Sequence, residues 1–341
     1  MKKYKICKIL LVILAIFLCV AFYELLGICV AYKKQPEVSN TTKKETKNGS
    51  WNECSENTER AVIIEKNPEA LLQRVRLIKN AKKEIILSTF AFQSDESGKL
   101  ILGALHDAAD RGVHIRLLVD GMESWIDMEG NPYFYGLSSH ENVEIKLYNK
   151  ANPLKPWKMM GRMHDKYLIA DGKRYILGGR NTYNYFLGDF PGHKNYDRDV
   201  LVVCDEPEKE NSVNQLLEYF ETIWEQEDSG YFHDNKKLAN RKSVKNAVLE
   251  LQNGYQKYFE ENKERICDTD YTDETFETEK IALVSNPIHT GPKEPVVWYQ
   301  LGELMKNAKE RVKIHTPYII CNDMMYNTWK EIAERVPDFS I

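Results

Sequence analysis

His164 and Lys166 stand two residues apart in the run RMHDKYLIADGKRYILGGRNTYNYF, and Asp171 follows Lys166 after four residues. Six residues further on come Gly178 and Gly179, and then Asn181. On an extended strand, residues two apart face the same way, so this imidazole and this ammonium can address one ligand. An imidazole is readily neutral near pH 7, and its nitrogen can attack phosphorus. The phospho-histidine that results splits one hard substitution into two easier steps. Lys166 then supplies a point charge for the phosphate oxygens, where negative charge must be held. Asn181 adds an amide donor to the phosphate. Gly178 and Gly179 let backbone come close to a ligand or to a neighbouring strand, and Gly179 is counted with Lys166 and Asn181 as phosphate-binding. Asp171 joins His164 and Lys166 in the catalytic set. It also sits beside Gly172 as a turn pair, so an organising carboxylate is the stronger reading than direct chemistry. His-x-Lys alone means little, but six specified positions coincide by chance at one site with a probability on the order of 10⁻⁸.

These groups need strands to carry them. Tyr167–Ala170 and Arg174–Leu177 flank Asp171-Gly172 as the two arms of a hairpin. Ile85–Phe92 reads as a buried strand, Lys99–Arg111 as a helix stopped at Gly112, and His114–Val119 as the next strand. That order implies a βαβ unit with a parallel pair. Val143–Leu147 and Val200–Val203 add strands, and Val213–Trp224 a helix with one apolar face. Tyr183, Tyr185 and Phe186 read as core residues. An internal repeat is visible: AKKEIILSTFAF at 81–92 resembles AKERVKIHTPYI at 308–319. Helices Ala70–Lys79 and Trp298–Lys306 precede the two copies, and a helix at Met324–Arg335 follows the second. The second copy is expected to be incomplete, leaving its apolar strand Val312–Ile320 without neighbours.

The spacing resembles the phospholipase D superfamily signature H-x-K-x4-D-x6-G-(G/S)-x-N. The wording RMHDK, GGRN, YF and DRDV, together with His315-Thr316-Pro317-Tyr318, is similar to bacterial cardiolipin synthases of the phospholipase D type. The likeness runs from about residue 60 to Ile341, specific at the motif and loose elsewhere. It implies a phospholipase D-like mixed sheet flanked by helices; with the elements above, the expected fold is α/β with an incomplete second repeat, and the apolar N-terminus adds a transmembrane helix. It implies a phosphatidyltransferase or phospholipase acting on a phospholipid substrate, without a cofactor. In that family an acidic residue near the start of the strand at 200 orients the histidine by accepting its second N–H, which points to Asp199, with Asp197 as the alternative. Such enzymes pair two motifs, one histidine attacking and the other protonating the leaving group. This sequence holds one, so a homodimer or a C-terminal half is the expected partner. Single-motif relatives that dimerise and cut DNA supply a competing nuclease reading, and a folded but non-catalytic chain is a third.

Composition weighs among these. With 341 residues, 43% of them apolar, the chain can bury a substantial core. The net charge is −4, and the first 32 residues are basic, so the remainder is more acidic still. Binding of nucleic acid is driven by phosphate neutralisation, so no nucleic acid is expected as a partner. Cys54, Cys204, Cys267 and Cys321 are scattered without a CxxC or a neighbouring histidine, and no metal site is expected. Ile9–Tyr32, ILLVILAIFLCVAFYELLGICVAY, is long enough to span a bilayer. A cleaved signal would have a shorter apolar core, about 7–15 residues, ending at small residues. The expected organisation is therefore a membrane anchor at 1–32, a polar linker at 33–60, the motif-bearing repeat at 61–280 and the start of a second repeat at 281–341. The expected location is the cell membrane, single-pass. Lysines flank the span on both sides, and the body is assigned outside the cytoplasm. An apolar span is not screened by ions, so membranes washed in high salt should retain the chain, as read by immunoblotting pellet and supernatant. Release in a shortened form would reveal a cleaved leader instead.

Overall fold

The computed structural model describes residues 2–49, 59–207, 211–233, 235–316 and 318–341. Cys54, the stretch 50–58 of the expected linker and Pro317 lie outside the described residues. The chain opens with α1 (Lys2–Ala31), apolar on all sides. Among the described residues it is the one helix long and apolar enough to cross a membrane, over Lys5–Ala31. The segment expected to be a solvated linker contains a helix, α2 (Asn40–Asn48). Ser39 caps it by accepting from the Thr42 N–H, and Gly49 closes it at φ +75°. Glu294 accepts from the Thr42 hydroxyl at 2.6 Å and from the Ser39 N–H at 2.8 Å, so polar residues here dock rather than dangle.

The body follows as β1 (Arg60–Ile64), α3 (Asn67–Asn80), β2 (Glu84–Thr89), α4 (Glu96–Asp110), β3 (His114–Asp120), α5 (Gly121–Asp127), α6 (Pro132–Ser138) and β4 (Val143–Tyr148). Then come β5 (Lys166–Ala170), β6 (Arg174–Gly178), β7 (Asp199–Val203), α7 (Ser212–Trp224), β8 (Ser229–Tyr231), α8 (Lys242–Glu261), α9 (Lys263–Cys267) and β9 (Phe276–Glu277). Nine strands form one mixed sheet in the order β8-β4-β3-β2-β5-β6-β7-β1-β9. β2, β3 and β4 are parallel, joined by helical crossovers, as the βαβ pattern predicts. β5, β6, β7 and β1 continue the sheet antiparallel. The fold is α/β, as expected.

The sheet is covered on both faces, which is why β2 and β3 read as near-continuous apolar runs. One face carries Ile85, Leu87, Ile115, Leu117 and Leu168 under α3, α4, α6 and α8. The other carries Ile86, Leu118, Tyr167, Ile169 and Tyr175 under the apolar stripe of α7, namely Leu216, Phe220, Ile223 and Trp224. Phe186 is buried in the first cluster, with Tyr183 and Tyr185 packed against it, as core residues should be.

The second repeat keeps its helices, α10 (Val296–Lys306) and α11 (Asp323–Arg335), but its strand differs from expectation. Only Arg311–Lys313 form β10, and they do have a neighbour, pairing in parallel with β11 (Asp338–Ser340). Tyr318, Ile319 and Ile320 are exposed rather than paired. The segment leading into this repeat is not a separate body: Ile281, Leu283 and Ile288 pack against the α7 side of the main sheet.

A buried charge cluster pins β7 to the helices. The Asp199 carboxylate is fully buried between the Arg74 guanidinium at 2.9 Å and that of Arg180 at 3.2 Å. Burial holds Arg180 below its ordinary pKa, against the pull of Asp199. Removing the anion would leave two desolvated cations uncompensated. Asp199→Ala should therefore cost about 3–5 kcal/mol of stability, read as a fall in thermal midpoint of the detergent-solubilised chain. A change near zero would mean that the arginines find water or another acceptor.

Candidate active site

The hairpin strand β5 starts at Lys166, and His164 lies two residues before it, on the extended approach to the sheet. Because β5 is antiparallel to β2, with Lys166 opposite Thr89, this start lies at the carboxyl edge of the parallel strands. Ligands of open α/β sheets bind outside that edge. A cavity of about 380 Å³ opens there, lined by His164, Lys166, Arg162 and Lys293, with an apolar wall from Leu216, Leu283, Ile288 and Val297.

The Lys166 side chain is buried and folded back, donating from Nζ to the His164 carbonyl at 2.6 Å. Burial pushes the ammonium down to about 8, opposed by the carboxylates of Asp165 and Asp197. Partial burial, and then the Lys166 charge, holds the His164 imidazole below its ordinary 6.5. The His164 shift favours a neutral, nucleophilic imidazole at pH 7; the Lys166 shift works against its charge, yet a value of about 8 still leaves the ammonium mostly protonated there. Phe90, just beyond β2, packs edge-on to the His164 ring with centroids 4.6 Å apart and lies 5.3 Å from Lys166 Nζ.

Position is set from β3. The buried carboxylate of Asp120 caps α5 by accepting from the N–H groups of Met122 and Glu123. It also accepts from the Met163 N–H at 3.1 Å and pairs with the Arg162 guanidinium. One side chain thus ties the strand end, the next helix and the residues immediately before His164. Deeper in the cavity Asp165 accepts from the Tyr219 hydroxyl at 2.7 Å, and burial raises the carboxyl's pKa. Lys293 donates to the Arg162 carbonyl at 3.2 Å, its own pKa lowered by burial. Sequence reading missed Phe90, Asp120, Asp165, Tyr219 and Lys293. An apolar strand ending in an acid before glycine was the available hint for Asp120; Lys293 had none.

Of the residues expected to act together, the structure unites His164 and Lys166, with Gly178 in the same lining and the Asp197 charge felt by Lys166, and leaves Asp171, Asn181 and Asp199 outside that lining. Asp171 is a correction. It sits at the far end of β5, about 17 Å from Lys166 at 3.3 Å per residue. Its carboxylate accepts from the consecutive N–H groups of Lys82, Lys83 and Glu84, the shortest bond being 2.7 Å. With Asp171 at φ +55° and Gly172 at φ +63°, it closes the hairpin and fastens it to the start of β2. Its work is structural. Asp199 does not orient the histidine either, being committed to Arg74 and Arg180. Asp197 accepts from the N–H of Arg198, and among the described residues none hydrogen-bonds the His164 ring. Gly178 and Gly179 are explained by these same acids: a Cβ on Gly178 would collide with the Asp199 carboxylate, and one on Gly179 with that of Asp197. Asn181 lies outside the cavity lining, where its carboxamide oxygen accepts from the Ala91 N–H at 3.2 Å and so fixes the residue next to Phe90.

Residues 74–224 match a family model described as cardiolipin synthase, PLD-like domain. An uncharacterized protein of Helicobacter pylori is 28% identical over 298 residues, covering 79% of this chain and 56% of that protein. Cardiolipin synthase C of Escherichia coli K12 is 29% identical over 171 residues, 46% of this chain and 34% of that protein. The chain spans about half the length, or less, of these curated relatives. The crystal structure of phosphatidylserine synthase from Haemophilus influenzae Rd KW20 matches 88% of this chain and 65% of that chain, with TM-score 0.53 and 16% identity, a shared fold.

The two shifted groups predict a bell-shaped pH dependence of kcat/KM for phosphodiester turnover, since that ratio reports free-enzyme pKa values. Activity rises as His164 loses its proton, at a pH below 6.5, and falls as Lys166 loses its charge, near pH 8. In Lys166→Arg the guanidinium stays charged, so any remaining activity should lack the alkaline limb. An alkaline limb unmoved by that change would assign it to another group.

Proposed function

We propose that this chain, a member of the phospholipase D superfamily through its residues 74–224, is a membrane-anchored phosphatidyltransferase or phospholipase of the cardiolipin synthase kind. Members of the superfamily are phosphodiesterases or phosphatidyltransferases. The observation that carries the narrower reading is the make-up of one cavity. Arg162, Lys166 and Lys293 bring positive charge to the nucleophile, while Leu216, Leu283, Ile288 and Val297 bring an apolar wall. A phospholipid presents that same pair of surfaces, a phosphodiester joined to a hydrocarbon body. An acidic chain with an apolar-walled site is poorly suited to nucleic acid.

In this reading a neutral His164 nitrogen attacks phosphorus. The P–O bond to the leaving alcohol breaks, and that oxygen takes up a proton from an acid. An acceptor hydroxyl, from a second lipid or from water, then attacks the phospho-histidine. The P–N bond breaks, the acceptor's proton is lost, and the free imidazole returns. Lys166 holds the charge on the non-bridging oxygens through both steps. With α1 in the bilayer and the body on its non-cytoplasmic side, the substrate is a membrane lipid.

His164→Ala tests this. Turnover of phosphatidylglycerol in vesicles, measured by release of head group, should fall on the order of 10⁴-fold or more while the thermal unfolding midpoint is kept. A variant as active as the parent would end the covalent-histidine reading.

A further inference from the structure

The carboxyl edge of the parallel strands carries more than the cavity. α5 leaves β3 there, and its first residue, Gly121, lies so close to the Lys150 backbone that a Cβ would overlap it. The loop after β4 leaves at the same edge and runs directly into Arg162 and His164. Between them these segments expose Trp125 (69%), Ile126 (66%), Leu154 (77%), Trp157 (45%) and Met160 (57%). Single exposed apolar residues are ordinary, but two tryptophans and three aliphatic side chains in two adjoining segments are not.

α1 is seated on the same loop. The Tyr23 hydroxyl donates to the Leu154 carbonyl at 3.1 Å, and Gly27 packs against the Pro156 ring, where a Cβ would overlap it. At its end the Tyr32 hydroxyl donates to the Thr290 carbonyl at 2.5 Å. Ala21, Glu24, Gly27 and Ile28 are half-buried on the side toward the body, whereas Phe22, Leu25, Leu26 and Val30 face away and are exposed. The one carboxylate of the span is thereby turned toward protein. Tyr23 lies eight residues before Ala31, about 12 Å along a helix rising 1.5 Å per residue. The stretch of the span before Tyr23, Lys5–Phe22, is about 27 Å long on the same rise, close to the thickness of a bilayer's hydrocarbon core. A loop touching Tyr23 is thus at the depth where headgroups meet hydrocarbon, the level that tryptophan favours. Lys155, exposed between Leu154 and Trp157, suits an anionic headgroup.

We propose that Leu154, Trp157 and Met160, with Trp125 and Ile126, insert into the interfacial layer of the bilayer that α1 crosses, so that lipid enters the cavity sideways from the membrane. The inference rests on the membrane-anchored reading above, and adds the surface by which the body itself lies on the lipid.

The full chain, reconstituted in phosphatidylcholine–phosphatidylglycerol vesicles containing lipid brominated near the headgroup end of its acyl chains, provides the test. Tryptophan emission should be quenched, and Trp157→Phe and Trp125→Phe should each remove part of the quenched component. Lipid brominated at the chain ends should quench less. Quenching unchanged by both substitutions would overturn the proposal, as it would if another protein segment or a second copy of the chain covered these residues. A Leu154→Ser/Trp157→Ser/Met160→Ser variant should lose vesicle-lipid turnover by about tenfold or more, yet keep turnover of a water-soluble short-chain phosphodiester. Equal loss on both substrates would place the loop's role in the site rather than on the membrane. His164→Ala should abolish both turnovers and leave the quenching intact, so a failed chemical reading is told apart from a failed membrane contact.

Discussion

The reversal of one strand governs this molecule. β2, β3 and β4 run parallel, and β5 pairs with β2 in the opposite sense, Thr89 against Lys166 and Ile85 against Ala170. Only that reversal brings the amino end of β5, and with it His164, to the edge where the parallel strands finish. A slip of one residue would turn Lys166 to the opposite face of the sheet and set Asp165, a carboxylate, where the ammonium now stands. Asp171 guards the register from the other end, since three consecutive backbone N–H groups at 82–84 converge on its carboxylate. A residue remote from the reacting atoms therefore has a bearing on where they stand.

Electrostatics at the edge are local and run against the chain's total. The sequence is acidic overall, yet Arg162, Lys166 and Lys293 line one cavity. Asp120 and Asp165 face these cations from β3 and from the motif itself, and Tyr219 holds Asp165 in place. Burial is the leading cause of the lowered pKa at His164, Lys166 and Lys293 alike, so the site is partly withdrawn from water. Charge placed there acts through a lower dielectric, so an anion in the cavity would be held more firmly than surface lysines could hold it.

The helices and strands that periodicity reveals were legible in the sequence. Leu100, Ile101, Ala104, Leu105 and Ala108 recur at helical spacing and are buried in α4; the apolar run at 85–89 forms a strand covered on both faces. That His164 and Lys166, near neighbours in sequence, would address one space was legible as well, since both line the same cavity. The turn and the organising role of Asp171 were legible too, but its distance from the pair was not: the motif spaces residues along the chain, while a strand sends its two ends to opposite edges of a sheet. Asp199 was misassigned because its counterions, Arg74 and Arg180, come from other elements, and their call on its carboxylate is invisible in YDRDVLVV. Phe90, Asp120 and Lys293 meet only through the topology, across separations that no local pattern encodes. β10 shortened for the same reason: strand length depends on the partner, and β11 offers three residues.

The two tyrosine hydroxyls that tie α1 to the body, Tyr23 to Leu154 and Tyr32 to Thr290, have a kinetic meaning. A helix held at two points nine residues apart cannot swivel freely, so with α1 in a bilayer the cavity would face one leaflet at a nearly constant height. Encounter would then be a two-dimensional process. Its rate would follow the mole fraction of substrate in the plane, and diluting the lipid with inert detergent or neutral phospholipid would slow the reaction even at constant bulk concentration.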